Sequence, residues 1–443
     1  MIKIFIPDNF IPERSYAVST LLHHYIGVEI EIIPKQNHDH YELTWDGKSI
    51  IIKDHFFGLI PGDQKYLDAK NIPDKIISTQ SPGLDNILLL FGEEKLETTR
   101  DTLVCHVDLF AGVFFMLTRW EEAVIPDRDQ HDRFPASSAL LVKTGNILRP
   151  VVDEYAALLR GWLKSLGYLV SAEISKYKVI PTCDVDAPYY WSTGPYWKIL
   201  ARTFKENINP FRFIHKLQEF KSVRKGRKQD PFDQFEYLMT LTEKAGLRFE
   251  FNMIGGGKTR HEGYYDIQDP RIKSLMQQMS ERGHKIGVHP SYASFNNSTL
   301  IQEEKEAVSL NSGTTIDSSR QHYLRFDVPA TWRCLVDAGI KIDSTLGYAA
   351  EPGFRCGTSK PFPVFDIHKR ETFPLIERPL LIMDVSFKRY KKYSIDESIA
   401  YSKKIIEQVK KHNGELVFLW HNSSLSDVDG WTGWIQVLEL LID

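Results

Sequence analysis

The chain has 443 residues, 42% hydrophobic and 12% aromatic, which is ample for packed cores and too long for one ordinary domain, so two globular domains are expected. A formal net charge of −3 and a pI near 6.6 exclude a whole-chain electrostatic case for nucleic acid as partner. Cys105, Cys183, Cys334 and Cys356 lack CxxC spacing, which argues against a disulfide framework and against a cysteine-based zinc site.

Residues 1–7 lack the basic start, apolar run and small-residue cleavage site of a secretory signal, and no apolar run approaches membrane-spanning length. The cytoplasm is therefore the expected compartment. Residues 2–6 read as a short apolar strand; Tyr16, Val18, Leu21, Leu22 and Tyr25 follow at helical spacing, and residues 28–33 alternate as a strand. Residues 43–52 predict a hairpin turning at Asp46-Gly47, residue types that tolerate positive φ. One buried helix is expected over 107–122 and another over 151–166, the latter ending at Gly167. Between them the proline-bounded loop 125–135, with Asp129, His131 and Arg133, is expected to be a solvated turn held by local ion pairs. The pattern changes near 168–176, which places a smaller α/β domain at 1–172 and a second domain at 173–443.

The second segment alternates strands and helices. Strands are expected at 178–182, 247–253, 285–288, 319–323, 340–343, 380–385 and 416–420, with helices such as 272–282 and 395–412 between them. That order implies a mainly parallel sheet with crossover helices, open or closed as a barrel. In a barrel the chemistry sits where strands end, and these ends carry Asp184, Asp186, His289, His322, Asp343 and His421. A basic, aromatic insertion at 191–230 suits a membrane surface, a polyanionic ligand or a lid. A solvated amphipathic helix with an ordinary core face explains the same residues more simply, so membrane contact is not the expected role.

Within Thr182-Cys-Asp-Val-Asp186 the two carboxylates fall on one face of a strand, because side chains alternate with period two. Like charges held that close suit a divalent cation, with one carboxylate as ligand and the other as base. On those residues alone a turn or helix cap is the simpler reading. The later histidines raise the metal reading.

Taken together, Thr182-Cys-Asp-Val-Asp186, Gly283-His-Lys-Ile-Gly-Val-His289, Arg320-Gln-His-Tyr-Leu-Arg325 and Val417-Phe-Leu-Trp-His-Asn422 resemble the motifs of the polysaccharide deacetylases, the family-four carbohydrate esterases, in order and rough spacing. The resemblance covers residues 176–443. Residues 1–170, through Asp108-Leu-Phe and Thr118-Arg-Trp-Glu-Glu122, resemble an accessory N-terminal domain found on some of these proteins. The resemblance implies a distorted seven-stranded (β/α) barrel that holds one divalent metal, usually zinc, and removes acetyl groups from N-acetylated sugars. It implies Asp184 as general base, Asp186 and His289 as metal ligands, and His421 as the acid that protonates the departing amine. Arg320 or Arg355 is the candidate to pair with Asp184 and hold it ionised.

The sequence departs from that family at Ala293, where a second ligand histidine is expected four residues after His289. His284 is a poor substitute, because five residues along a strand places it on the other face, and hydrogen bonding at a turn suits it better. His322, at a strand end, is the better third ligand. Asn422 stands where an aspartate is common, which removes a possible partner for His421. The expected function is a metal-dependent deacetylase acting on an N-acetylated sugar of a glycan or glycan precursor. The alternative, favoured by Ala293, is a deacetylase-like domain that only binds carbohydrate or a partner protein.

Overall fold

The first sheet is built by an alternation of buried and exposed residues that begins at once. In β1 (Ile2–Pro7), Ile2, Ile4 and Ile6 are fully buried while Lys3 is exposed. β2 (Ile30–Lys35), β3 (His40–Trp45) and β4 (Lys48–Lys53) follow, then the short β5 (Ile77–Ser78) and β6 (Leu88–Leu89), then β7 (Gly92–Thr98) and β8 (Thr102–Val107). The six longer strands form one mixed sheet in the order β2-β1-β3-β4-β8-β7, and β5 pairs with β6 alone. The β3–β4 hairpin turns at Asp46 and Gly47, both at positive φ (42° and 74°), the backbone that the Asp-Gly pair predicts. The computed structural model describes residues 1–62, 66–170, 175–191, 210–257, 259–262 and 265–443. The expected boundary at 172/173 falls in a stretch outside the described residues.

The helix expected over 107–122 is divided in three. Residues up to Val107 belong to β8, and Asp108 then caps the helix Leu109–Leu117 by accepting from the Ala111 amide at 3.0 Å. That helix stops because Arg119 turns to positive φ (51°), which lets its buried guanidinium reach Met116 O, Glu121 and Glu122. A short helix, Trp120–Val124, completes the segment. All nine residues of Leu109–Leu117 are buried, because the helix lies between the first sheet and the second: Phe110 meets Tyr41 of β3 and Phe114 meets Phe365 of the second sheet.

The second sheet has nine strands: β9 (Lys178–Val185), β10 (Glu250–Met253), β11 (Lys285–Val288), β12 (Ser318–Ser319), β13 (Ile342–Asp343), β14 (Phe362–Asp366), β15 (Glu371–Glu377), β16 (Ile382–Met383) and β17 (Glu415–Leu419). Their order is β14-β15-β13-β12-β11-β10-β9-β17-β16, and every pair except β14–β15 is parallel. Among the described residues no ladder joins β16 back to β13 or β15, although the Leu380 amide donates to Leu346 O across that opening. All seven expected strands are present, some shorter than expected. The hairpin β14–β15 is additional. Pro363 is tolerated within β14 because β14 is an edge strand, where a missing amide costs no ladder bond.

The two sheets share one continuous core. Tyr16 donates to Pro363 O, the Phe354 amide donates to Ile147 O, and Asp153 accepts from Thr358 and Ser359. Of the insertion at 191–230, residues 192–209 lie outside the described residues. The remainder includes the helix Pro210–Arg224, whose Phe220 is buried against Trp191, while Asp230 accepts from the Tyr190 and Trp191 amides at 2.7 Å each. No described helix is long and apolar enough to cross a membrane.

Candidate metal centre and active site

Parallel strands deliver their carboxyl ends to one side of a sheet, and six of them deliver polar side chains there. Asp184 is the penultimate residue of β9, and Asp186 follows the strand directly. Asn252 lies in β10, His289 follows β11, Arg320 and His322 follow β12, Asp384 follows β16, and His421 follows β17. Gly287 in β11 is required by this convergence, since a Cβ there would collide with the Asn252 side chain and with Ser318.

Asp186 stands at the centre. Its Oδ1 lies 3.3 Å from His289 Nε2 and 3.4 Å from His322 Nε2, and its Oδ2 lies 3.7 Å from His421 Nε2. The two contacts at Oδ1 lack hydrogen-bond geometry, and that oxygen is buried without a partner. A buried carboxylate oxygen left unbonded among imidazole nitrogens is costly unless something else occupies the space between them. One donor atom from each of Asp186, His289 and His322 lies within 4.8 Å of the others. With metal–ligand bonds of about 2.1 Å, neighbouring donors of a tetrahedral site stand about 3.4 Å apart. The two distances at Oδ1 therefore match those of ligands to one ion, and these three residues fit a divalent metal of the zinc class.

The surroundings orient each donor. His289 Nδ1 lies 2.5 Å from Arg320 O, a contact that takes its N–H and leaves Nε2 toward Asp186. His322 Nδ1 lies 3.6 Å from Glu262 Oε1, an ion-pair distance, and Glu262 itself accepts from the Thr259 and Tyr292 amides. Burial opposes ionisation of Glu262, but His322 and Thr259 outweigh it and bring its pKa down to about 2. Burial likewise opposes ionisation of Asp186, while His322, His289 and His421 hold its carboxyl well below the ordinary range. For His289 burial disfavours the cation, and Asp184 and Asp186 reverse the balance upward. Carboxylates and imidazoles so arranged favour a positive charge at their centre.

Asp184 and His421 flank this centre. Asp184 Oδ1 accepts from Asn252 Nδ2 at 2.8 Å and from Arg320 Nη1 at 3.3 Å, and Oδ2 lies 3.8 Å from His289 Nε2. Arg320 is fully buried and is fixed further by Thr182 and Ser344. His421 Nδ1 lies 2.8 Å from Asp384 Oδ1, and its amide donates to Asp384 Oδ2 at 2.8 Å. Burial works against the imidazolium, but Asp384 first and then Asp186 and Asp184 raise its pKa to about 9.

Of the expected site residues, Asp184, Asp186, His289, His322, Arg320 and His421 are brought together. Arg355 is not among them. It forms a buried two-point pair with Glu122 (2.9 and 2.5 Å) and lies over the Tyr348 ring, so its guanidinium is committed to the first segment rather than to Asp184. His284 sits at the opposite end of β11, where it accepts from the Phe249 amide and contacts Glu243. Ala293 is exposed in a turn, and its methyl group offers no donor. Asn422 donates to Ala187 O and Phe232 O, and Asp384 takes the place of the partner His421 was expected to lack.

Sequence reasoning missed Asp384, Glu262 and Arg133. Asp384 had a signal, an acid closing an apolar run in a predicted strand; Glu262 had none. The loop 125–135 holds the expected local pair, Arg133 with Asp129, yet it also walls the site. Arg133 donates to Tyr323 O at 2.9 Å, Arg325 donates to His131 O and Asp132, and His131 Nδ1 lies 3.1 Å from the Tyr292 hydroxyl. The cleft above Asp184 and Asp186, about 350 Å³, is lined by Arg133 together with Phe232, Tyr323, Tyr390 and His421. The turn behind it is strained, with Tyr323 and Leu324 both at positive φ (62° and 53°).

A profile described as "Family of unknown function (DUF7033)" matches residues 2–168. No curated protein matches the chain. Among solved structures it is similar to a protein assigned as a polysaccharide deacetylase from Mycobacterium smegmatis, at 15% identity over 60% of this chain and 83% of that one, with a TM-score of 0.40. A second, from Pseudomonas aeruginosa PAO1, is 11% identical over 60% and 84%, with a TM-score of 0.39. A pseudoenzyme of the CE4 family from Bacillus anthracis is 10% identical over 62% and 66%, with a TM-score of 0.28. The site's own residues, rather than these likenesses, carry the assignment that follows.

Proposed function

We propose that the protein is a metal-dependent deacetylase that hydrolyses the N-acetyl group of a sugar in a glycan or glycan precursor, with zinc as the metal, in the cytoplasm. In this reading residues 173–443 are a distorted (β/α)7 barrel and residues 1–172 an accessory domain. The observation that carries it is the unpartnered Asp186 Oδ1, at 3.3 and 3.4 Å from two imidazole nitrogens, with an oriented carboxylate on one side and an oriented imidazole on the other.

Asp186, His289 and His322 would hold the ion, which when bound polarises the amide carbonyl and acidifies a water molecule. Asp184 then acts as the general base. Its Oδ1 is tied down by Asn252 and Arg320, which leaves Oδ2 on the cluster side to receive a proton from the attacking water. His421 acts as the general acid. Asp384 holds Nδ1, so Nε2 faces the cleft and delivers its proton to the departing amine. Arg133 and the rings of Tyr323 and Tyr390 bound the sugar side of the cleft.

Acetate release from a panel of N-acetylated sugars and nucleotide sugars tests the reading, each with and without zinc or cobalt. Metal-dependent release that is abolished in Asp184→Asn supports it. No release from any member by metal-loaded protein favours the binding-only reading that Ala293 suggests.

A further inference from the structure

A second cluster of metal-ligating side chains lies outside this site, in the segment whose matching family has no described function. His38, His40 and Glu42 alternate along the chain into β3, so the pleat places them on one face. Tyr41, Leu43 and Trp45, on the other face, are buried in the core. One donor atom from each of His38, His40 and Glu42 lies within 4.8 Å of the others, and the two imidazole centroids are 4.0 Å apart.

Two further observations point to a ligand. His38 Nε2 is buried and has no hydrogen-bond partner, although its ring is only half-buried. His40 Nδ1 lies 2.7 Å from Asp39 Oδ1, the carboxylate–imidazole arrangement that orients a metal-binding histidine and leaves Nε2 as its ligand nitrogen. The frame is rigid where it matters. Glu42 is paired to Phe5 of β1 and to Ile51 of β4, and His40 is paired to Lys53. His38 lies just beyond Asn37, whose positive φ (55°) turns the chain between β2 and β3. Lys35, beside His38, and Lys53, beside Asp39, are the nearby opposing charges, and Asp39 and Glu42 offset them.

We propose that His38, His40 and Glu42 form a second metal site that takes a divalent first-row transition ion of the zinc class. Two imidazoles and a carboxylate suit zinc, cobalt, nickel or copper better than magnesium or calcium, and three protein donors leave a coordination position open. Such an ion ties the crossover at 36–39 to the central strand β3 of the first sheet. It stabilises the folded chain by mass action, since those donors are brought together only on folding.

The test uses the full chain carrying Asp186→Asn and His289→Ala, so that the first cluster is disabled and the result is independent of the deacetylase reading. Cobalt and zinc are titrated against it by calorimetry and in competition with a chromophoric chelator. The expected result is one equivalent bound, lost on adding His38→Ala or His40→Ala and weakened by about tenfold or more by Asp39→Asn, with unchanged circular dichroism. Either of two results overturns the proposal. One is no binding at millimolar metal; the other is binding that His38→Ala and His40→Ala leave unchanged, which identifies an adventitious ion only.

Discussion

Asp384 holds His421 at two points, Nδ1 to Oδ1 and backbone amide to Oδ2, both at 2.8 Å, although the residues lie 37 positions apart on neighbouring strands. The carboxylate sets the ring orientation and raises the imidazole to about 9, so His421 carries its proton at neutral pH. A group with a raised pKa is charged below that value and loses its proton as pH rises through it. The kcat/KM profile is therefore expected to fall on its basic side as His421 deprotonates. Asp384→Asn removes the main cause of the raised value, so this limb moves to lower pH and kcat drops about 10²–10⁴-fold. An unchanged basic limb in Asp384→Asn contradicts the role.

Glu262 is expected to act on metal affinity through His322. Glu262→Gln removes the carboxylate that faces His322 Nδ1 and weakens metal binding by about tenfold while leaving the fold intact. Chelator competition measures this directly, and an affinity equal to wild type refutes it.

The pair between Glu122 and Arg355 joins the first segment to the stretch between β13 and β14. Burial disfavours ionised Glu122, but Arg355 and then Arg119 overcome it and lower its pKa from 4.5 to about 2. A depressed carboxylate contributes stability that is present above its unfolded value and lost as pH falls through the folded one. Acid unfolding between about pH 4.5 and pH 2 should thus draw on this pair. Arg355→Met leaves the buried Glu122 carboxylate with Arg119 alone and is expected to cost about 3–5 kcal/mol in denaturant unfolding at pH 7. A cost below about 1 kcal/mol, the level of an exposed pair, contradicts the account.

Arg133 carries the first segment into the cleft. Arg133→Ala is expected to raise KM several-fold, with kcat within about twofold and metal affinity unchanged, the pattern of a group that binds substrate and transition state alike. Unchanged KM, or loss of metal instead, shows that the loop only supports the Tyr323 turn.

Much of the site was legible because it is written at strand ends. Period-two spacing paired Asp184 with Asp186, the resemblance to the deacetylase motifs singled out His421, which on its own reads as a core histidine closing an apolar strand, and strand-end position nominated His322 when Ala293 could not serve. Arg320 and Arg355 looked equivalent in sequence, since a long guanidinium gives no local sign of the carboxylate it will meet; Glu122, from the other segment, decided between them. Glu262 sits in a stretch without periodicity, and Arg133 reaches the cleft from a loop 190 residues away from Tyr323. Contacts of that separation leave no trace in local pattern. The helix expected over 107–122 failed for a related reason: hydrophobicity continues through Thr118, but the ion pairs of Arg119 require a left-handed backbone.

The central claim is that His322 supplies the third donor in place of residue 293. Metal content after reconstitution with zinc, measured in a His38→Ala, His40→Ala background so that only one site is counted, tests it most directly. About one ion per chain is expected, falling close to zero in Asp186→Ala, His289→Ala and His322→Ala alike. Retention of the full equivalent in His322→Ala, with loss in the other two, would contradict it.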